Sequence, residues 1–414
     1  MRLIYFTESY PYGLGEDWKK NELNVLNNYF DDIIVIPFKY GCNNVSKPFI
    51  PNITYVKPLS KFLLSPKNIL IQILQLITSS QIKIFFYEFL TQKVFLSYSK
   101  FKQWFNSSIF IENLIDNPII HKYLIKSDIP TIAYFFWGRN TSEVVSVLKN
   151  KLIISCIRFH RYDLYDYVQP TYYLPYQQFQ LLYSKLILPI SFDGKNYLNF
   201  KYSSIPIKNK IKIHKLGTSY DGSSHQSTDN ILRIFSCSMI TTVKRIHIIA
   251  EALDLIYNIN IVWTHIGGGP EQQKISIYFN NYSDNIKPKI TGLILPNKVK
   301  SFYVGKPADL FINVSSSEGI PVSIMEAMSA SIPVFATNVG GTNEIVNKNN
   351  GKLLPIDINP SLLSSEIMNF FNLSRSTKQF MRRNSFKTFK ENHDSQINSE
   401  LLSKEILSLF SNND

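Results

Sequence analysis

DLFINVSSSEGIPVSIMEAMSASIPVFATNVGGTNEIV, Asp309 to Val346, holds two short apolar runs divided by a loop and a helical stretch. DLFINVS and IPVFAT are continuous runs rich in branched and aromatic residues, the pattern of strands buried on both faces. Between them Ser-Ser-Ser-Glu-Gly reads as a loop, and Pro321 is expected to open a helix at its first position, where a missing N–H costs nothing. NVGG closes the second strand with glycines that let backbone approach a ligand, and a further helix start follows at Thr342–Glu344. Strand, loop, helix and strand in this order predict a doubly wound α/β sheet.

The same alternation extends outward. ILRIFSCS, a helix at His247–Tyr257, IVWTHIG and KPKITG precede the quoted run. Before them lies Thr218–Asn230 (TSYDGSSHQSTDN), polar and bearing glycine and serine, which is expected to be a linker. An earlier series comprises RLIYFTESY, a helix from about Trp18 to Phe30, DIIVIPF, NITYV, TIAYFFW, LIISCIRF and LILPIS. The fold class is therefore expected to be α/β, with two doubly wound, Rossmann-like lobes facing a cleft. Residues 1–217 form the first lobe, with a helical insertion near 58–126, and residues 218–390 the second. Residues 391–414 are read as a C-terminal helix that returns toward the first lobe.

At 414 residues the chain has room for two ordinary domains, and 44% hydrophobic residues exclude a disordered chain. Lysine and arginine number 44 against 31 acids, a net charge of +13 that favours anionic partners. The charges are scattered, without the clustered stripe that follows a nucleic-acid backbone, so no nucleic acid is expected as a partner. Cys42, Cys156 and Cys237 share no metal-ligand spacing and read as free thiols in a reducing compartment. MRLIYFTESYPYG lacks the apolar core of a secretory signal, and ILIQILQLI (Ile69–Ile77) is too short to span a bilayer. The expected location is cytoplasmic, with peripheral attachment to the inner face of the plasma membrane as an added expectation.

The chemistry of the quoted run lies in its loop. N–H groups around Ile320–Ser323 point out of a helix start, beside a partial positive charge that suits phosphate. Glu318 at the mouth and Glu326 within the helix can each accept hydrogen bonds from hydroxyls, as recognition of a polyol requires. Ordinary helix starts also attract acids, which would explain either half of the run by itself but not the whole.

The run resembles the donor-site signature of family 4 (group 1) retaining glycosyltransferases, which have the GT-B fold. Its E-x7-E spacing is met by Glu318 and Glu326, with the E-G-x-P and E-A-M elements intact. The resemblance implies that Glu318 holds hydroxyls of the donor sugar and Glu326 the ribose of the nucleotide. Gly319, Ile320, Pro321, Val322 and Ser323 inherit the backbone that meets the diphosphate. Within SCSMITTVKRIHIIAEAL, Lys244 matches a lysine directed at the diphosphate, and Ser238 stands where many relatives carry arginine. Arg245 or a first-lobe residue is the expected source of any second charge. HIGGGPE places Gly268 near the nucleotide, and ITGLILPNKV places Ile294 beside the nucleobase. In the first half, IRFHRYDLYDY gives His160 the position of the family's catalytic histidine, and PYGLGED sets Gly13 and Gly15 near donor phosphates and acceptor. That glycine loop is not a GxGxxG dinucleotide fingerprint.

These correspondences imply a metal-independent, retaining transfer from a UDP-, GDP- or other nucleotide-activated sugar to a glycan or lipid-linked glycan, in cell-surface polysaccharide biosynthesis. His160 and Glu318 are the expected catalytic residues, with no cofactor and no metal; the sequence has no Asp-x-Asp pair. Three other classes compete, one of them a two-lobed phosphorylase, which would need a lysine for pyridoxal phosphate and would absorb visible light. A nucleotide-sugar epimerase would convert donor without any acceptor. A non-catalytic basic binding protein would bind in a salt-sensitive way that ignores Glu318. The segment Pro58–Lys126, rich in Leu, Ile, Phe and Lys with few acids, reads either as an insertion packed on the first lobe or as a surface that rests on acidic lipid.

Overall fold

Apolar runs of three to seven residues become strands that hydrogen-bond in parallel, so both faces of each sheet must be covered and the strands carry few polar side chains. The computed structural model describes residues 1–12, 16, 18–41, 49–60, 68–279 and 281–411. The chain divides into two units, one of residues 1–214 with 399–414, the other of residues 215–398.

In the first unit β1 (Arg2–Thr7), β2 (Asp32–Pro37), β3 (Ile53–Tyr55), β4 (Thr131–Phe135), β5 (Ile153–Phe159) and β6 (Leu186–Pro189) form one sheet. Its order is β3-β2-β1-β4-β5-β6, with every pairing parallel. Leu3, Ile4, Tyr5 and Phe6 of β1 are all buried, because this central strand is covered on both sides. Burial of such side chains contributes about 1.5–3 kcal/mol each.

In the second unit β7 (Ile231–Cys237), β8 (Asn260–Ile266), β9 (Ile286–Ile290), β10 (Leu310–Asn313), β11 (Val334–Thr337) and β12 (Gly351–Leu354) pair in the order β12-β11-β10-β7-β8-β9. Pro288 sits in β9, at the sheet edge, where its missing N–H breaks no interior ladder. Counted within each unit, both sheets have the strand order 3-2-1-4-5-6, the doubly wound arrangement expected from the sequence. The order reverses between β1 and β4 in one unit and between β7 and β10 in the other. Loops leaving the carboxyl ends of those strand pairs are where such sheets bind ligands.

Three expectations need correction. The units divide at His214/Lys215, and Thr218–Asn230 is not a free linker. Ser224 donates from its N–H and its hydroxyl to the Ala330 carbonyl, and Ser227 donates from both groups to the Asp309 carboxylate, so the polar residues serve as partners for the second unit. Pro321 is the residue before the helix, not its first residue: the helix runs Val322–Ser329, with Pro321 in extended backbone (φ −73°, ψ 121°). The helix expected from Trp18 to Phe30 is shorter, Lys19–Leu26.

Within the segment 58–126 the described residues hold helices at Ile69–Ile77, Ile82–Thr91 and Tyr98–Ile115, as its periodicity predicts. Leu76, Phe85, Trp104, Ile111 and Leu114 on the inward side join the first unit's core. The C-terminal helix, Ser395–Ser411, begins among residues of the second unit and continues from Ser399 among those of the first. Leu402 and Ile406 on it are fully buried.

Candidate functional site

Lys244 follows β7 and Glu318 follows β10, two strands that are neighbours in the sheet at its reversal. Adjacency of these strands brings together residues 74 positions apart: Lys244 Nζ donates to Glu318 Oε1 at 2.5 Å. Asn313, the last residue of β10, donates from Nδ2 to the same oxygen at 3.3 Å and accepts from Ser315 N with Oδ1 at 3.0 Å. Both bonds fall on Oε1, and Oε2 accepts none among the described residues. An ammonium has three N–H donors, so Lys244 keeps two beyond the one spent on Glu318. A partly exposed ion pair contributes only about 0–1 kcal/mol to stability, so its main effect is to set position.

The loop that carries Lys244 is fixed by its neighbour. Arg245 adopts left-handed backbone (φ 48°) and donates from Nε to the Val314 carbonyl at 2.7 Å. Its other nitrogens donate to the carbonyls of Ile356 (2.8 Å) and Ser315 (3.4 Å). Arg245 therefore clips the loop after β7 to the end of β10, with one N–H of each of its three nitrogens bonded to a carbonyl.

Glu318 is held from the other side by the NVGG turn. Gly340 has φ 51°, and a Cβ there would lie 2.1 Å from the Glu318 carbonyl oxygen. Gly341 N donates to the Gly319 carbonyl at 2.8 Å. Glycine is required at 340 by both the backbone angle and the close approach. The helix Val322–Ser329 then leaves with no side chain capping its N-terminus. N–H groups in a first turn have no acceptor within their own helix, so the start at Val322 and Ser323 can receive an anion.

Glu326 lies on the same helix. Burial pushes its carboxyl up to about 7; Lys300 opposes the rise and Asp221 adds to it. Its carboxylate accepts no hydrogen bond among the described residues. Lys300 is itself occupied, donating to the carbonyl and hydroxyl of Ser219 at 2.7 Å each and pairing with Asp221 at 2.8 Å. At the end of β7, burial pushes the Cys237 thiol up to about 12; the Glu326 carboxylate adds to this and Lys244 opposes it. Glu326 and Lys244 thus act electrostatically on one strand end.

Ser238, Gly268 and Ile294 sit on the loops after β7, β8 and β9. Burial pushes His265 down to about 4, so its ring is neutral and has one donor nitrogen. Its Nε2 faces the Ser238 carbonyl at 3.1 Å, which can only accept, so Nδ1 must accept from Ser236 Oγ at 2.9 Å. Trp263 Nε1 in turn donates to Ser236 Oγ at 3.0 Å. This chain ties Ser238 to β8. Gly268 accepts from Ile240 N with its carbonyl, at 3.1 Å, and Ile294 is half-buried against the second unit's core.

In the first unit, His160 follows β5 and is nearly buried, with its ring 4.2 Å from Trp137 and 5.0 Å from Phe136 between centroids. Its N–H donates to Asp163 Oδ1 at 2.5 Å, while Gly138 N donates to Asp163 Oδ2 at 2.6 Å. Asp163 thereby joins the loops after β4 and β5. The His160 ring nitrogens have no hydrogen-bond partner among the described residues, the nearer lying 3.8 Å from Asp163 Oδ2. Burial lowers the imidazole pKa, Arg158 and Lys19 lower it further, and Asp163 opposes them. The ring is therefore neutral at neutral pH, able to donate from one nitrogen and accept with the other.

Gly13 and Gly15 lie outside the described residues. Glu16, beside them, accepts from Ser9 N (2.8 Å), Tyr10 N (2.9 Å) and Trp137 Nε1 (2.7 Å), and pairs with Lys19. Burial would raise the Glu16 pKa, but Lys19 and these donors outweigh it and hold the carboxyl at about 2. Lys19 is fully buried and drawn down to about 8 by desolvation, against the pull of Glu16. Sequence reading passed over Glu16, Lys19, Trp137, Asp163 and Asn313. For Glu16 and Asp163 the signal was present, as acids inside the quoted PYGLGED and IRFHRYDLYDY runs.

Of the expected residues, the structure brings Lys244, Glu318 and the Gly319–Ser323 backbone together, with Glu326 on the adjoining helix. Ser238, Gly268 and Ile294 lie at the same end of that sheet, and His160 belongs to the other unit.

Residues 223–388 match the family model described as glycosyl transferases group 1, a stretch that takes in Lys244, Glu318 and Glu326. A putative colanic acid biosynthesis glycosyltransferase, WcaL of Salmonella typhimurium, is 24% identical over 257 residues, or 59% of this chain. The chain spans 62% of that relative's length. An O-antigen biosynthesis glycosyltransferase of Escherichia coli, WbnH, is 29% identical over 28% of this chain and 32% of its own. Among solved structures, sucrose-phosphate synthase from Thermosynechococcus elongatus has a TM-score of 0.68 at 12% identity, with 100% of both chains covered. Anabaena HepE in complex with UDP has a TM-score of 0.60 at 14% identity, covering 99% of this chain and 100% of that one. These two likenesses extend to the fold.

Proposed function

We propose that this chain is a glycosyltransferase that moves a sugar from a nucleoside-diphosphate donor to a hydroxyl of a glycan or lipid-linked glycan, in assembly of a cell-surface polysaccharide. The observation that carries this reading is the Lys244–Glu318 pair at the uncapped start of Val322–Ser329, with an unpartnered Glu326 carboxylate on the same helix. The group 1 match over this unit and the naming of its relatives for colanic acid and O-antigen biosynthesis support it.

Each residue then has a chemical task. The spare donors of Lys244 and the first-turn N–H groups meet the diphosphate, whose negative charge grows as the sugar–oxygen bond breaks. Glu318 Oε2 accepts from a sugar hydroxyl while Oε1 stays fixed by Lys244 and Asn313. Glu326 accepts from the ribose hydroxyls. In the step itself the bond from the sugar's anomeric carbon to the diphosphate oxygen breaks and a bond to the acceptor oxygen forms on the same face. The acceptor's proton passes to the departing phosphate, which gives retention. His160, neutral, orients the sugar. Lysine and helix start supply the charge stabilisation, so we assign no metal and no cofactor to the reaction.

The test is calorimetric titration of the full chain with UDP, GDP and their sugars, followed by turnover with EDTA present and NMR of the product's anomeric configuration. Affinity for one nucleoside diphosphate, lost in Lys244→Ala, is expected, with turnover unaffected by EDTA. No affinity for any nucleoside diphosphate would overturn the reading.

A further inference from the structure

The outward side of the helices Ile69–Ile77 and Ile82–Thr91, with the turn that follows them, is apolar and not covered by any other described residue. Leu70, Leu74, Phe86, Phe95, Leu96 and Tyr98 are each exposed over more than half their surface, from 57% at Phe95 to 80% at Tyr98. The aromatic members form one patch. Phe89, half-buried, lies 6.4 Å from Phe86, 5.9 Å from Phe95 and 6.5 Å from Phe101 between ring centroids. Such a cluster is much more than the scattered surface leucines of an ordinary soluble face.

Exposed charge at this patch is mainly positive. From Ile69 to Ile115, the end of the third helix, the sequence has lysines at 83, 93, 100 and 102 and two acids, Glu88 and Glu112. Glu88 points inward: it is 1% exposed and accepts from Tyr173 Oη and Tyr176 N at 2.9 Å each. Lys83, Lys93 and Lys102 are exposed. Glu112, half-buried, accepts from Ser79 Oγ at 2.7 Å at the turn between the two helices, so the fully exposed charges beside these apolar side chains, among the described residues, are lysines.

Length decides how it can meet a bilayer. Among the described residues no single helix is long and apolar enough to cross a membrane, and these two meet at 99°. At about 1.5 Å per residue each is roughly half as long as a ~30 Å hydrocarbon core is thick. Trp104 Nε1 also donates to the Phe85 carbonyl at 3.1 Å, which ties the inner side of the second helix to the first unit's core.

We propose that this face docks on the surface of an anionic lipid bilayer, with Leu70, Leu74, Phe86, Phe95 and Leu96 set among the acyl chains. Lys83, Lys93 and Lys102 meet the phosphates, and Tyr98 lies at headgroup level. Apolar insertion and lysine attraction add in such docking, each lysine near an anionic surface being worth about fivefold in partition. The inference stands on the exposed face alone and holds whatever reaction the chain catalyses.

Flotation of the full chain with phosphatidylcholine vesicles, with and without phosphatidylglycerol, tests it. Binding is expected with the anionic vesicles, to weaken in high salt, and to fall at least about tenfold in both F95S/L96S and K83E/K93E. All four positions are exposed or at the patch rim, and an unchanged circular dichroism spectrum checks that the variants fold. Failure of the wild type to float with anionic vesicles overturns the proposal, as does flotation that neither double variant reduces. Light scattering that shows a wild-type dimer dissociated by F95S/L96S, without flotation, would instead assign the face to a second copy of the chain and equally overturn it.

Discussion

Lys244 Nζ and Glu318 Oε1 share a 2.5 Å hydrogen bond, so the cation assigned to the diphosphate and the carboxylate assigned to the adjoining sugar are bonded to one another. Removal of the lysine should therefore act twice, by withdrawing charge from the phosphates and by freeing Glu318 to turn. Lys244→Ala is expected to weaken nucleoside-diphosphate binding by about tenfold or more, the scale of a lost charge-assisted hydrogen bond. Glu318→Gln keeps the shape and should leave that affinity within a few-fold while turnover falls by about 10²–10³, as when a preorganised polar contact to the transition state is lost. Calorimetry and steady-state rates on the two variants check both outcomes.

Glu326 makes donor affinity depend on pH. Its carboxyl, raised to about 7 by burial, is mostly protonated below that pH and can then receive fewer hydroxyl donors. Nucleotide affinity should rise as pH increases through 7, and the rise should disappear in Glu326→Gln. The same raised pKa favours the folded state at low pH. That stability is fully present below the ordinary glutamate pKa and lost as pH climbs through about 7. Titration calorimetry and thermal melts at pH 5.5 to 8.5 measure the two trends.

Arg245 should behave as a structural neighbour of a functional residue. Its three carbonyl bonds predict that Arg245→Ala lowers stability by about 2–4 kcal/mol, a fall of several degrees in Tm. Nucleoside-diphosphate affinity, measured where the variant is folded, should fall less than in Lys244→Ala. A larger fall than in Lys244→Ala would mean that Arg245 leaves its carbonyls to bind phosphate directly.

Gly340 has two reasons to be glycine, and they can be separated. At Gly305 φ is 71° and an added Cβ would meet nothing within 4 Å, so Gly305→Ala carries backbone strain alone, about 1–2 kcal/mol. Gly340→Ala adds a clash with the Glu318 carbonyl. Both variants should melt earlier, but only Gly340→Ala should also lose donor affinity.

Which of these features were readable in the sequence follows from how far each one depends on distant residues. Strands β1, β2, β7 and β10 are local: their apolar runs admit little but a strand covered on both sides. Glu318 and Glu326 were readable because one loop and one helix carry both, with fixed spacing. The segment Asn140–Val147, NTSEVVSV, was not read as an element, because its polar composition hides a short helix whose residues from Thr141 onward are buried. The role of Arg245 was equally hidden, since its three acceptors lie 69 to 111 positions downstream. The Glu16 cluster joins residues 9, 10, 19 and 137, a combination no local pattern encodes.

The helix Ser395–Ser411 has a bearing on how the gene could be cut. Because its residues from 399 onward belong to the first unit, that unit is made from two separate pieces of chain, although all six strands of its sheet come from the first. A fragment ending near residue 214 would lack the buried Leu402 and Ile406 and the partner of Lys212, Glu405, at 2.5 Å. Ribosomal synthesis meets the same condition: the first sheet is complete in sequence after β6, yet Leu402 and Ile406 of the same unit emerge only after the whole second unit has been made.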